Sequence, residues 1–233
     1  MTARWRVLRH WHAVVMRRDA GEPPPSDQTP AGMEVDFDAL YAGDEPVWSG
    51  EPNGALIDEI ADAEPRRALD VGCGEGADAV WLAQRGWQVT ALDIAAAALD
   101  RARQRAMLAG VEVTWLHSGL LDAPLEPESF DLVSAQYPAL RHTADDAAIR
   151  ALLSLVAPGG TLLVVHHADI DLDEARAHGV DPSLYVSPED VRVALDESWD
   201  VLVNERRPRT IRGGAGAHHS HDLVLKARRR AGA

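Results

Sequence analysis

The stretch A-L-D-V-G-C-G-E-G at residues 68 to 76 constrains the fold of this chain more than any other part of it. Ala68, Leu69 and Val71 suit a strand buried in a parallel sheet, and Gly72, Gly74 and Gly76 let the backbone turn through torsions that a side chain disfavours. From Ala77 to Arg85 the apolar spacing becomes helical, with Gly86 as a C-terminal cap. A second strand, W-Q-V-T-A-L-D-I, follows and carries Asp93 seventeen positions beyond Gly76. The unit is strand, glycine loop, helix, strand, and a loop without Cβ atoms lets a ligand lie against the backbone.

The two acids narrow the ligand. An acid at the carboxyl end of the second strand of a nucleotide-binding α/β sheet accepts hydrogen bonds from ribose hydroxyls, so Asp93 points to an adenosine. The dinucleotide fingerprint G-x-G-x-x-G rests a pyrophosphate on the helix N-terminus, whereas this loop reads G-x-G-x-G, is preceded by Asp70 and contains Glu75. Carboxylates there repel a pyrophosphate and suit an ammonium. An adenosine end joined to an amino-acid end describes S-adenosylmethionine, and the spacing disfavours a nicotinamide-dependent oxidoreductase.

On D-V-G-C-G-E-G and A-L-D-I at this separation, residues from about Phe37 onward resemble the class I S-adenosylmethionine-dependent methyltransferases, and are similar to the bacterial branch that includes the tellurite-resistance and thiopurine enzymes. The remaining pattern agrees. A helix over Ala95 to Leu108 stops at Gly110; strands V-E-V-T-W-L and F-D-L-V-S-A follow; a helix spans about Ala144 to Val156; then comes P-G-G-T-L-L-V-V-H-H. The chain closes with V-S-P-E-D-V-R-V-A-L as helix and W-D-V-L-V-N-E and H-D-L-V-L-K-A as strands. The expected fold is α/β: a doubly wound, seven-stranded, mainly parallel sheet of the Rossmann-like methyltransferase kind with an antiparallel last strand.

The resemblance assigns residues. Asp70, Gly72, Cys73, Gly74 and Gly76 would hold the methionine end, Asp93 the ribose and Ile94 one adenine face. Many relatives carry an acid just after the third strand where this chain has Gly119, so the adenine edge is assigned to Gly119 and the Leu120 amide, with Asp122 too late to substitute. Gln136 and Tyr137 stand after strand four, where the family faces the transferred methyl; they orient a substrate, unless Tyr137 only packs beneath the lid. Residues 33 to 60 form that lid, with Asn53 capping a helix from Gly54 to about Ala61. Its Trp48 either attracts the sulfonium or only excludes water. His142 and His166 are candidate general bases. His219 and His221 share a strand face at a spacing compatible with a metal, but no carboxylate or thiolate neighbour completes a set, so no metal is expected.

Composition bounds the partners. The 233 residues suit one catalytic domain, and 37 acids against 23 Lys and Arg give a charge of −14, which disfavours nucleic acid. The segment after strand four is also not of the N/D-P-P-Y type used by nucleic-acid amino methylases. One cysteine allows no intramolecular disulfide, and no apolar run nears the roughly 18 to 20 residues of a membrane span, so a cytoplasmic, non-membrane protein is expected. The expected function is in-line methyl transfer to a small-molecule thiol, chalcogen or hydroxyl. Lack of an unmistakable base leans toward a soft nucleophile. The other reading is a non-catalytic S-adenosylmethionine-binding sensor or interaction module.

Residues 1 to 32 stand apart. They begin basic, turn rich in proline and carry five arginines against Asp19, Glu22 and Asp27. They read as a flexible extension or as a start-site artefact with translation opening at Met33. Intact mass of the protein made from its native locus is expected to separate the two, a mass including Met1 removing the second.

Overall fold

The computed structural model describes residues 37–41, 43, 45–170, 173, 181–210, 213–214 and 219–232. The readings of residues 1 to 32 and of Met33 lie outside the described residues. Seven strands form one sheet: β1 (Arg67–Val71), β2 (Gln88–Asp93), β3 (Thr114–His117), β4 (Phe130–Gln136), β5 (Val156–His167), β6 (Trp199–Pro208) and β7 (His221–Arg229). Their order is β3-β2-β1-β4-β5-β7-β6. The first five pair in parallel, and β7 runs antiparallel to both β5 and β6. The expected α/β sheet is therefore observed, with β7 as its single antiparallel member.

The helices are α1 (Phe37–Leu40), α2 (Gly54–Ile60), α3 (Ala77–Gln84), α4 (Ala96–Ala109), α5 (Ala147–Leu155) and α6 (Pro188–Ala194). The inner strands are apolar on both sides because both faces are covered. Leu69, Val71 and Val133 pack with Ile149 and Leu152 of α5 and Val191 of α6 on one face. On the other, Ala68, Leu132 and Val165 meet Leu56 of α2 and Trp81 and Leu82 of α3. Alternation along β5 sends Val164 to the first layer and Val165 to the second, a parity that decides where the two histidines after them point.

Some boundaries shift for local reasons. The β3 strand begins at Thr114, since Val111 is still held by the α4 carbonyl of Ala106. Helix α5 begins at Ala147, whose N–H donates to Thr143 Oγ1 at 2.8 Å, so Thr143 supplies the end group three residues later than the sequence suggests. Asn53 does precede α2, but its side chain makes no capping bond and instead donates to Asp78 Oδ2 at 2.8 Å.

At the glycine loop the backbone leaves little choice. Gly76, at φ 77°, opens α3, and a Cβ there would lie 2.7 Å from Ala102 Cβ and 2.9 Å from Trp115. Gly110 has a similar φ of 66° with nothing within 4 Å. Urea unfolding is expected to show Gly110→Ala losing only the left-handed penalty of about 1–2 kcal/mol. Gly76→Ala should lose that and about 1–3 kcal/mol more from overpacking.

Candidate active site

A cleft of about 410 Å³ opens beyond the carboxyl ends of β1, β2 and β4, where the strand order reverses. Asp93, ending β2, is buried, and its two oxygens serve separate elements: Oδ2 accepts from Gly74 N at 2.8 Å and Oδ1 from Ala95 N at 2.9 Å. Ile94 is half exposed on the rim. A Cβ at Gly119 would sit 3.7 Å from both Ile94 Cγ2 and Asp122 Oδ2. A turn closed by Asp122 N on Gly119 O, at 3.2 Å, brings Asp122 back to the cleft, so this acid lines it after all.

The floor carries buried acid. Asp70 is 2 % exposed and its Oδ2 has no hydrogen-bond partner. Asp78, at the start of α3, accepts from Asn53 N at 2.7 Å and from its side-chain amide. Among the described residues no cation stands within ion-pair distance of Asp70, Asp78 or Asp93. Burial holds all three above the ordinary carboxylate range; the Asp78 and Asp93 charges push Asp70 further, while hydrogen bonds from Asn53, and from Ala95 and Gly74, partly offset the rise at Asp78 and Asp93. Burial also pushes the Cys73 thiol well up, so it stays protonated beneath the loop.

Glu75 does something other than face an ammonium. Its carboxylate accepts from Val47 N and Trp48 N at 3.1 Å each and pairs with Arg101 Nη1 at 2.5 Å. Arg101 also donates to the carbonyls of Tyr41, Gly43 and Glu45, and Arg105 to those of Glu75 and Gly50. One side of α4 thus staples the lid to the glycine loop. Trp48 Nε1 donates to Tyr41 Oη at 2.7 Å, and a Cβ at Gly74 would meet that hydroxyl at 3.1 Å and Trp48 Nε1 at 3.4 Å. The lid therefore lies directly on Gly74, and Trp48 lines the cleft.

Gln136 and Tyr137 stand at the far end. Gln136 is buried, donates to Ser134 Oγ at 3.1 Å and leaves Oε1 without a partner. Tyr137 takes the left-handed conformation, φ 51°, with its N–H on Val165 O at 2.7 Å. Burial and the neighbouring Asp222 keep its phenol protonated against the pull of Arg209.

The two histidines expected as bases do not line the cleft. His142 lies beside the start of α6, its Nε2 3.5 Å from Asp190 Oδ2. His166 points to the α5 layer, where burial brings its pKa down to about 4 and leaves Nε2 unpartnered. The adjacent His167, on the other parity, does line the cleft, with Arg209. His167 was passed over for His166 because T-L-L-V-V-H-H is apolar on both faces, which hides the parity of its last residues; Arg209, after β6, reaches the cleft only through the tertiary fold. Asp78, Arg101 and Arg105 were missed too; the i, i+4 spacing of the arginines on α4 was the available signal. His221 is engaged with Asp169 at 3.2 Å, and among the described residues no group of three or more His, Cys, Asp or Glu could hold a metal. No helix among them is long and apolar enough to cross a membrane.

The raised carboxylates bind more protons in the folded chain than in the unfolded one between their ordinary and raised values. Stability of the ligand-free protein is therefore expected to fall as pH rises through that window. Urea unfolding at neutral pH should find Asp70→Asn more stable than the parent by about 1–3 kcal/mol, since the amide removes a buried charge that no partner compensates, with a flatter pH dependence.

Comparison with known proteins bears on the family and the fold. Residues 68–160 match the family described as "Methyltransferase domain". An uncharacterized methyltransferase of Mycobacterium tuberculosis is 43% identical over 112 residues, 48% of this chain and 55% of that protein. The chain spans about half the length of the curated relatives it matches. A structure solved for the conversion of a disulfide bond into a thioacetal group during echinomycin biosynthesis superposes with a TM-score of 0.66 at 26% identity, covering 84% of this chain and 92% of that one. The N-methyltransferase NodS of Bradyrhizobium japonicum in complex with S-adenosyl-L-homocysteine gives 0.60 at 22% identity, covering 81% and 94%. None of these singles out the tellurite-resistance and thiopurine branch. Residues 68–160 match a methyltransferase domain, and the described residues have the Rossmann-like fold that the NodS structure shares.

Proposed function

We propose that this chain transfers the methyl group of S-adenosylmethionine to a small-molecule acceptor held between the lid and the segment after β4. The observation that carries the reading is the set of buried carboxylates on the cleft floor, above all Asp70 with its unpartnered Oδ2. Among the described residues they lack protein cations, and a ligand bearing an ammonium and a sulfonium supplies them. Asp70 and the Gly72–Gly76 backbone would hold the amino-acid end, Asp93 the ribose, and Ile94, Gly119, Leu120 and Asp122 the adenine end.

When bound, the cofactor supplies a methyl already activated by its positive sulfur. The chain is left with positioning, which supplies up to roughly 7–11 kcal/mol of a barrier. Gln136 Oε1, fixed by the bond its amide makes to Ser134, offers an acceptor to the incoming nucleophile. Tyr137 walls the same end, and the stapled lid excludes water. The volume falls within the roughly 300–1,000 Å³ of small-molecule sites. With a chain charge of −14, it supports a small acceptor over a nucleic acid.

A sulfur acceptor has one specific observation behind it: the structure at 26% identity concerns chemistry at a disulfide.

Calorimetry is the direct test. Asp93→Ala is expected to lose about 10- to 100-fold in S-adenosylmethionine affinity, from hydrogen bonds to a charged group worth about 1.5–3 kcal/mol, and NAD should not bind. A cation favours the ionised form of the raised carboxylates, so affinity should rise with pH and protons be released on binding, read as different heats in buffers of different ionisation enthalpy. Unchanged affinity in Asp93→Ala would count against the ribose assignment. A methyl-transfer screen over thiols, phenols, amines and chalcogen oxyanions, followed by S-adenosylhomocysteine formation, tests the reaction itself.

A further inference from the structure

The acceptor end of the cleft carries guanidinium groups that the reading above does not use. Arg209, just after β6, lines the cleft with only 8 % of its side chain exposed. Its guanidinium carbon lies 4.8 Å from the centroid of the Tyr137 ring, so an aromatic face backs the cation. Nη1 reaches Asp222 Oδ1 at 3.4 Å and His167 Nδ1 at 3.5 Å, both long for hydrogen bonds. Nε is buried without a partner, and Nη2 has none among the described residues. A guanidinium carries five N–H groups, and those of Nε and Nη2 are left over.

Asp222 does not absorb that surplus. Burial alone would raise its pKa, but hydrogen bonds from His167 and Tyr137 and the Arg209 charge hold it below the ordinary value, so one carboxylate already serves three neighbours. The cluster has more donors than acceptors, and buried donors left unpaired are costly. Arg141, exposed on the segment after β4, lines the same cleft; its guanidinium stands 5.9 Å over the Tyr185 ring, and among the described residues it forms no ion pair. The cleft is thus polarised, with buried carboxylates at the cofactor end and two arginines at the other. In a chain of charge −14 that is a local feature.

We propose that Arg209, with Arg141 at the rim, holds a carboxylate of the acceptor, so that the substrate class of this site is a small carboxylic acid methylated on a separate nucleophilic group. The proposal rests on the methyl-transfer reading for the reaction, though not for the anion site itself. A carboxylate matches the planar fork of a guanidinium and brings acceptor oxygens to a cluster short of them. Asp222 already neutralises part of the Arg209 charge, which favours a singly charged acid over a phosphate dianion. The carboxylate is a handle: the methyl goes to a second group beside Gln136, and the acid leaves unesterified. Tyr137 and Leu140 line the same end, so aromatic probes suit it. Arg209 is here a specificity-determining residue.

The test begins without turnover. With the full chain saturated with S-adenosylhomocysteine, calorimetry is expected to find benzoate bound about 10- to 100-fold more tightly than benzamide, the range of hydrogen bonds to a charged group, and more tightly than phenyl phosphate. Arg209→Lys keeps a cation beside Asp222 but loses the fork. It should bind benzoate about tenfold more weakly, with less than about threefold change for benzamide and for S-adenosylhomocysteine. Arg141→Gln should weaken benzoate by about two- to fivefold, as loss of an exposed ion pair does. In turnover, at least one isomer of mercaptobenzoate should exceed thiophenol in kcat/KM, chiefly through a lower KM. Equal affinity of the parent for benzoate and benzamide, or tighter binding of phenyl phosphate, would overturn the proposal whatever the variants do. A loss of S-adenosylhomocysteine affinity in Arg209→Lys as large as its loss of benzoate affinity would give the guanidinium to the cofactor's own carboxylate and overturn it too, as would a methyl ester as product. A parent that prefers benzoate but methylates neither the mercaptobenzoates nor the hydroxybenzoates overturns the methyl-transfer reading and leaves the anion site standing.

Discussion

Everything at the cofactor end hangs from the Asp93 carboxylate. One of its oxygens holds the amide of Gly74 and the other the amide of Ala95, so a single buried group fixes the glycine loop and the entry to α4 at once. Both are then placed relative to β2, whose backbone carries Asp93 in register with β1 and β3. Since α4 in turn supplies Arg101 and Arg105 to the lid, the position of the lid is inherited from the same carboxylate.

The acids of the cleft divide by partner. Glu75 has a guanidinium and two lid amides and acts as a structural tie, in which the charge is compensated inside the protein. Among the described residues Asp70 has no cation and an oxygen without any partner. A buried group in that condition destabilises the free protein by its desolvation and recovers the loss when a cation arrives. Reading both acids as ammonium ligands from their place beside the loop overlooks that difference, since sequence adjacency says nothing about which acid the lid will claim.

What could be read from the sequence follows the range of the interactions. The strand, loop and helix around Gly72 to Gly76, the second strand ending in Asp93, and the order of the remaining elements rest on local periodicity and turn chemistry, and the sheet forms as those signals indicate. Asn53 reads as a helix cap by type and position, but Asp78, twenty-five residues away, is the stronger acceptor and takes the amide. The choice between His166 and His167 depends on the parity of β5. Period-2 alternation reveals parity only where one face is polar, and on this strand both faces are covered.

The two ends of the cleft accordingly have different origins in the chain. On the proposed reading the cofactor end is built by residues 70 to 122, nearly all from one contiguous β-α-β-α-β run. The proposed acceptor end draws Gln136 from β4, Tyr137 just after it, His167 from β5, Arg209 after β6 and Asp222 from β7, all by side chain. A side chain can be exchanged without disturbing a ladder, whereas the torsions of Gly72 to Gly76 cannot. Within one fold, the acceptor is therefore free to differ while the methyl donor stays fixed, and the family match over residues 68–160 speaks to the donor end. The acceptor has to be read from the five side chains that the sheet brings together from its central and antiparallel strands.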